Sequence, residues 1–281
     1  MNNQIKTFAL MTGLTVLFVV LGGAIGGDQG LYIAFSLAVV LNFMAYWFSD
    51  RLALSMTRSR PLKRSEAPEL YEMVERLSKD ANLPMPRLFK MPTDQPNAFA
   101  TGRNPNNAVI SVTDGLLRLL NKQEIEGVLA HELAHIKNRD ILISSIAAVL
   151  AGALTIVARM GMWQNIMGGG RRREGGGASA ILQLIAIILA PIAALLIRMA
   201  ISRSMEYHAD ATAAKITGKP EDLASALLRL QSGARNRPYP VNEAASHMFI
   251  INPLSGTKAS MANLFSTHPP IEDRVRRLRG R

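Results

Sequence analysis

His131-Glu132-Leu133-Ala134-His135 is the stretch around which the chain is organised. On a helix, two histidines four residues apart share one face, so both imidazoles can reach a single ion. Glu132 follows the first histidine, about 100° round the helix, which puts a carboxylate beside the metal to accept a proton from water. The competing reading is an ordinary helix that happens to carry two histidines. With this composition the pattern arises by chance in roughly one sequence in a few hundred.

The 281 residues contain no cysteine, which excludes disulfides and thiolate-ligated metals. Any zinc must be held by His, Asp or Glu, and there are only five histidines. The net charge of +11 sits beside apolar runs, a placement that reads as membrane orientation and not as a nucleic-acid-binding face.

Upstream lie two apolar runs, about Thr7 to Ile25 and Leu31 to Phe48, separated only by Gly26-Gly27-Asp28-Gln29-Gly30. They read as a hairpin of membrane helices, the rival being a signal peptide cleaved near Gly22-Gly23-Ala24. Arg51, Arg58, Arg60, Lys63 and Arg64 follow, whereas the hairpin loop has no Lys or Arg. The charge bias puts this side, and the N-terminus, in the cytoplasm.

From Ser65 to Asp140 the composition is that of a soluble domain. Leu70, Met73, Val74 and Leu77 recur at helical spacing within Glu66 to Ala81. Arg87 to Met91 reads as a short strand. Asn97 to Gly102 and Ala108 to Thr113, flanking Asn104-Pro105-Asn106-Asn107, read as a β-hairpin. Asn121 with Glu124 resembles a capping box at the start of the helix bearing His131 and His135. The motif therefore lies outside the hydrocarbon layer.

Ile141 to Val157, continuing to Trp163, and Ala178 to Ile201 are third and fourth apolar runs around a Gly-rich loop with Arg171, Arg172 and Arg173. Either this pair spans, with the loop outside against the charge tendency, or it enters only partly or packs on the domain. The last part contains a helix over Glu221 to Gln231 and another opened by Thr267-His268-Pro269-Pro270. The expected organisation is a membrane hairpin over 1–50 and a cytoplasmic domain divided between 51–140 and 202–281. A second hydrophobic hairpin over 141–201 interrupts that domain.

Two histidines leave zinc one protein ligand short. Glu206 and Asp210, four apart in Met205-Glu206-Tyr207-His208-Ala209-Asp210, share a helical face. Glu206 is the candidate third ligand and Asp210 the partner of a ligand histidine's ring N–H. A solvated acid pair is the alternative. Two further crossings would return Glu206 to the side of His131 and His135. His208 points the other way, and His247 has no partner motif.

These residues, with Asn97-Ala98-Phe99-Ala100-Thr101-Gly102, Asn138-Arg139-Asp140 and Ser266-Thr267-His268-Pro269-Pro270, resemble the HtpX family of membrane-bound zinc endopeptidases, related to the CAAX prenyl endopeptidases. The resemblance covers essentially the whole chain. It implies one zinc held by His131, His135 and Glu206, with Glu132 as general base and Asp210 behind the ligands. It assigns an extended substrate to the strand at Asn97, Ala98, Phe99 and Ala100, and gives His268 a role on the tetrahedral species, unless that residue caps the last helix.

The implied fold is α+β, mainly helical, with about four apolar helices and a cytoplasmic zinc-peptidase domain with a small sheet. The implied partners are the lipid bilayer and polypeptide substrates, and nucleic acid is not expected. The setting is a bacterial inner membrane crossed several times, where misfolded or damaged membrane proteins are cleaved in quality control and stress response. Another zinc-dependent membrane hydrolase and a non-catalytic scaffold are the alternatives.

Overall fold

The computed structural model describes residues 3–146, 203–235, 250 and 269–280. Helix α1 (Asn3–Trp47) is two helices merged across a kink at Gly27, whose φ of 58° and ψ of −145° are unstrained only for glycine. The chain folds back there. Asn42 Nδ2 donates to Met11 O at 3.2 Å and to Thr15 Oγ1 at 2.9 Å. A Cβ on Gly22 would meet Gly30 O at 2.5 Å, so the two arms touch backbone to backbone. The expected hairpin is present, but its turn is concentrated at Gly27, and Asp28 to Gly30 are already helical.

Gly27–Trp47 is long and apolar enough to cross a membrane, with a mean hydropathy of 1.6, whereas the first arm offers the shorter apolar stretch Ile5–Val20. Ile33, Phe35, Val40 and Phe43 are exposed along the second arm, as lipid-facing side chains would be. Of about four expected apolar helices, one meets the length criterion among the described residues. The third run is described only over 141–146, which are helical, and the fourth lies outside the described residues, as do Arg171 to Arg173.

After α2 (Ser49–Met56) come β1 (Arg60–Pro61), α3 (Pro68–Asp80), β2 (Arg87–Met91), β3 (Ala98–Thr101), a 3-10 turn at Pro105–Asn107, β4 (Val109–Thr113) and α4 (Asp114–Leu119). The sheet order is β1-β2-β4-β3. The expected hairpin is β3 and β4, antiparallel, with Phe99 opposite Ser111. β2 runs parallel to β4, Arg87 against Val109, a pairing across the hairpin that local patterning did not signal. Among the described residues β3 is an edge strand.

Helix α5 (Lys122–Lys137) carries the motif and starts at the expected capping box. Asn121 Oδ1 accepts from Glu124 N at 2.9 Å, and Glu124 Oε2 accepts from Asn121 N at 2.9 Å. Ser225 and Arg229 bond Glu124 Oε1, tying the cap to α7 (Pro220–Arg235). Every residue from Gly127 to Ala134 is buried, so α5 is enclosed on most sides, unlike an amphipathic surface helix. It packs against α3, β3, α6 (Arg203–Thr217) and α7. At Gly127 a Cβ would lie 2.8 Å from Leu223 N, so only glycine allows α7 this close.

Helix α8 (Ile271–Leu278) closes the site side. Arg277 stacks 3.8 Å over the Tyr207 ring, and Arg279 Nε bonds Glu221 Oε2 at 2.9 Å. A second apolar cluster of Leu10, Leu14, Ala45, Ile143, Ile146 and Met205 joins the α1 hairpin to residues 141–146 and to the start of α6.

Candidate metal centre

The i, i+4 spacing on α5 puts the His131 and His135 rings 4.6 Å apart, with Nε2 atoms separated by 3.2 Å. Glu206, in the first turn of α6, faces both. Its Oε2 lies 3.8 Å from His131 Nε2 and its Oε1 lies 3.6 Å from His135 Nε2. Donor atoms of the three residues fall within 4.8 Å of one another, and they form the metal-competent cluster found among the described residues. Ligands about 2.0–2.1 Å from a tetrahedral ion are separated by about 3.4 Å. The observed edges bracket that value, so the donor set fits a small divalent cation.

Each ring is oriented from behind. Asp210, one turn after Glu206, places Oδ1 3.0 Å from His131 Nδ1. Asp140 places Oδ2 3.2 Å from His135 Nδ1. A carboxylate at Nδ1 fixes the tautomer that leaves the Nε2 lone pair facing the centre. Asp210 thus lies beside His131 on the same face of α6 as Glu206.

Asp140 belongs to the Asn138-Arg139-Asp140 motif of the family resemblance, but no role was assigned to it from the sequence. It reaches His135 because Arg139 adopts a left-handed conformation (φ 59°) just past the helix end, and Asp140 N then bonds His135 O at 2.9 Å. The signals were that motif and a carboxylate shortly beyond the second histidine.

Arg274 was also missed. It is the largest wholly buried side chain among the described residues, and its Nε and Nη2 donate to Asp210 Oδ2 and Oδ1 at 2.8 and 2.7 Å. Its Nη1 lies 3.4 Å from Glu206 Oε2. The sequence did hold a sign, since Ile271, Arg274, Val275 and Leu278 fall on one helical stripe. An arginine on the apolar face of a helix requires a buried acid.

Glu132 is buried, 4% exposed, and close enough for its charge to act on His135 and Arg274. Four carboxylates thus surround two imidazoles and one guanidinium. Burial disfavours charge on His135, but the Asp140 hydrogen bond and the charges of Glu206, Glu132 and Asp140 prevail and raise its pKa to about 9. Burial works against the Asp210 carboxylate as well, yet the charge and hydrogen bonds of Arg274, aided by His131, hold it down at about 2. A pocket that makes a buried imidazole hold its proton so firmly is short of positive charge. A divalent cation would displace that proton.

His208 is exposed on the far side of α6, in keeping with its expected exclusion from the centre. His247 and His268 lie outside the described residues. Along β3, Asn97, Ala98 and Phe99 are buried and Ala100 is partly so. Asn97 Oδ1 accepts from Ile250 N at 2.9 Å, while its buried Nδ2 has no hydrogen-bond partner among the described residues. The strand therefore has backbone, more than side chains, to offer a partner. Among the described residues no strand pairs with its outer edge.

An H-E-x-x-H helix facing a glutamate from a later helix, each histidine backed by a carboxylate, is compatible with the centre of a metal-dependent hydrolase. The chain belongs to peptidase family M48, whose model matches residues 64–281. It is 55% identical over 277 residues to a protein described as Protease HtpX homolog from Pelotomaculum thermopropionicum, covering 98% of each chain. The likeness to the same-named protein of Thermococcus sibiricus is 52% over 278 residues, covering 98% of this chain and 94% of the relative. The crystal structure of S. mikatae Ste24p is similar in fold, with a TM-score of 0.52 at 20% identity. That match covers 98% of this chain, which spans 65% of the length of Ste24p. The protein is a membrane-associated metalloprotease.

Proposed function

We propose that this protein is a zinc-dependent endopeptidase of the bacterial inner membrane, crossing it several times and cleaving misfolded or damaged membrane proteins at the cytoplasmic face. The observation that carries the reading is the convergence of His131 Nε2, His135 Nε2 and Glu206 with both Nδ1 atoms held by carboxylates. Two imidazoles and a carboxylate, with no sulfur, favour zinc.

His131, His135 and Glu206 would hold the ion. A zinc held there would supply a Lewis acid for the scissile carbonyl and lower the pKa of water toward about 7. Glu132 takes the proton of the attacking water on its carboxylate and hands it to the leaving amine. Asp210 and Asp140 keep the two rings fixed through Nδ1, and Arg274 holds Asp210 and offsets the charge of Glu206. The outer edge of β3, beside α5, receives an extended peptide through backbone hydrogen bonds by strand addition, with residues Asn97 to Ala100 along the substrate. His268 is assigned, from the family's His-Pro segment, to the developing negative charge on the carbonyl oxygen.

The cytoplasmic placement rests on Arg51, Arg58, Arg60, Lys63 and Arg64 just after the α1 hairpin. The domain at 51–140 and 202–281 is then the catalytic unit, and the apolar hairpin at 141–201 belongs with the membrane. Substrates in or near the bilayer follow from this placement.

The test is cleavage of casein by the purified protein, with and without a chelator, alongside metal analysis. Cleavage that a chelator stops and zinc restores is expected, at one zinc per chain. Chelator-insensitive cleavage would refute the mechanism, and a zinc-loaded protein without any cleavage would point to a scaffold.

A further inference from the structure

A cavity of about 550 Å³ opens where the base of the α1 hairpin meets the end of α5. Phe8, Met11, Ile141 and Leu142 form its apolar side, Arg103 and Arg139 are its cations, and among the described residues no carboxylate lines it. The Arg103 guanidinium stacks 4.6 Å over the ring of Trp47, the last residue of the membrane-length helix. A tryptophan at that position sits at headgroup depth, so the cavity mouth does too. Stacking also leaves the in-plane N–H groups of Arg103 available to an anion.

Arg139 occupies a left-handed position where glycine would cost about 1 kcal/mol less. Glycine would serve the turn to Asp140 equally well, which leaves the arginine side chain itself to be explained. Among the described residues, Arg103 and Arg139 form no ion pair with an acid. Arg51 and Arg58 likewise form none, whereas Arg60, Arg64, Arg76, Arg87 and Arg118 do.

From this combination we infer that the cavity binds an anionic glycerophospholipid. Arg103 and Arg139 take the phosphodiester headgroup, and the first part of the acyl chains lies against Phe8, Met11 and Leu142. A volume of this size suits a ligand of a few hundred Å³. A basic pocket with one greasy wall, at the level of an interfacial tryptophan, matches an amphiphile held at the membrane surface. A soluble phosphate would have no use for the apolar wall, and an acidic peptide would not need headgroup depth.

The full-length protein is stripped of lipid in non-ionic detergent and titrated in native mass spectrometry. The probes are phosphatidylglycerol, phosphatidylcholine with the same acyl chains, sn-glycerol 3-phosphate and an acidic peptide. One phosphatidylglycerol per chain is expected, bound roughly thirtyfold more tightly than phosphatidylcholine, as two arginines near an anionic headgroup provide. Arg103→Gln with Arg139→Asn should erase that preference, asparagine being chosen because it tolerates the left-handed turn. Arg103→Gln alone, which touches none of the proposed metal ligands or their carboxylate partners, should remove a large part of it.

Equal affinity for the two lipids would overturn the inference, as would a preference that survives both variants. So would equal binding of glycerol 3-phosphate, or selective binding of the acidic peptide. The measurement needs neither metal nor turnover, so its failure would leave the peptidase reading untouched.

Discussion

Arg274→Met replaces a wholly buried guanidinium by an apolar side chain of similar reach, and the cost can be worked from the structure. Asp210 would lose charge-assisted hydrogen bonds of 2.8 and 2.7 Å, and Glu206 a cation at 3.4 Å, while both carboxylates stay buried. Removing one partner of a buried pair costs about 3–5 kcal/mol, since the remaining charge is uncompensated. Two charged hydrogen bonds at about 1.5–3 kcal/mol each give the same range. In a domain of this size each kcal/mol moves the thermal midpoint by about 2–4 °C, so a fall of roughly 6–20 °C is expected.

The loss should be largest in chelated protein, because a bound divalent cation neutralises the same carboxylates. Helix-signal melts in detergent, with zinc and with chelator, give both numbers. Asp210→Asn in the Arg274→Met background should recover part of the loss, since a neutral amide needs no counter-charge. If Arg274→Met melts with the wild type, or loses equally with and without metal, the charge argument is wrong.

Glu132→Ala should lower turnover by about 10²–10⁴-fold while leaving zinc content intact, and loss of the metal would count against its role as base. Glu206→Ala should lower zinc occupancy, and an unchanged stoichiometry by elemental analysis would remove it from the ligand set. Asp140→Asn should weaken metal affinity by about 10–100-fold in chelator competition, with α5 unchanged by circular dichroism. The raised pKa of His135, about 9 in metal-free protein, makes a pH prediction with a definite sign. The folded state holds that proton more tightly than the unfolded chain, whose histidine titrates near ~6.5. The stabilisation is complete below that pH and disappears as pH rises through about 9. Chelated protein should therefore lose thermal stability over that window, and metal affinity should climb as the competing proton leaves. A flat midpoint in chelator would contradict the charge deficit at the centre.

What could be read from the sequence was set by short-range geometry. Asn121 and Glu124 are three apart, and each bonds the other's backbone N–H as a capping box requires. Glu206 and Asp210 are four apart and meet the two rings from one face of α6. Asn104 to Asn107 turn between strands that pair with each other. The parallel alignment of β2 with β4 was hidden, because nothing in either strand encodes a partner beyond the next turn. Helix α4 gave no usable periodicity over its six residues. Asp140 was hidden for another reason, since its reach depends on a positive φ at Arg139, where a glycine would have been the recognisable signal.

Arg274 shows how far a site can extend beyond its motif. Glu206 lies 71 positions after His135, and Arg274 is 64 after Asp210, yet all four meet within hydrogen-bonding or near-contact distance. Local spacing fixes which side chains share a helix face, but only packing fixes which faces meet. Here the packing is set by α5, so enclosed that its two histidines are met by partners on α6 and in the turn at Asp140, with Arg274 of α8 behind them. A helix carrying two histidines and a glutamate into a core needs compensating groups on every side. Its burial therefore implies Asp210, Asp140 and Arg274 in kind, even though the sequence does not say where along the chain they lie.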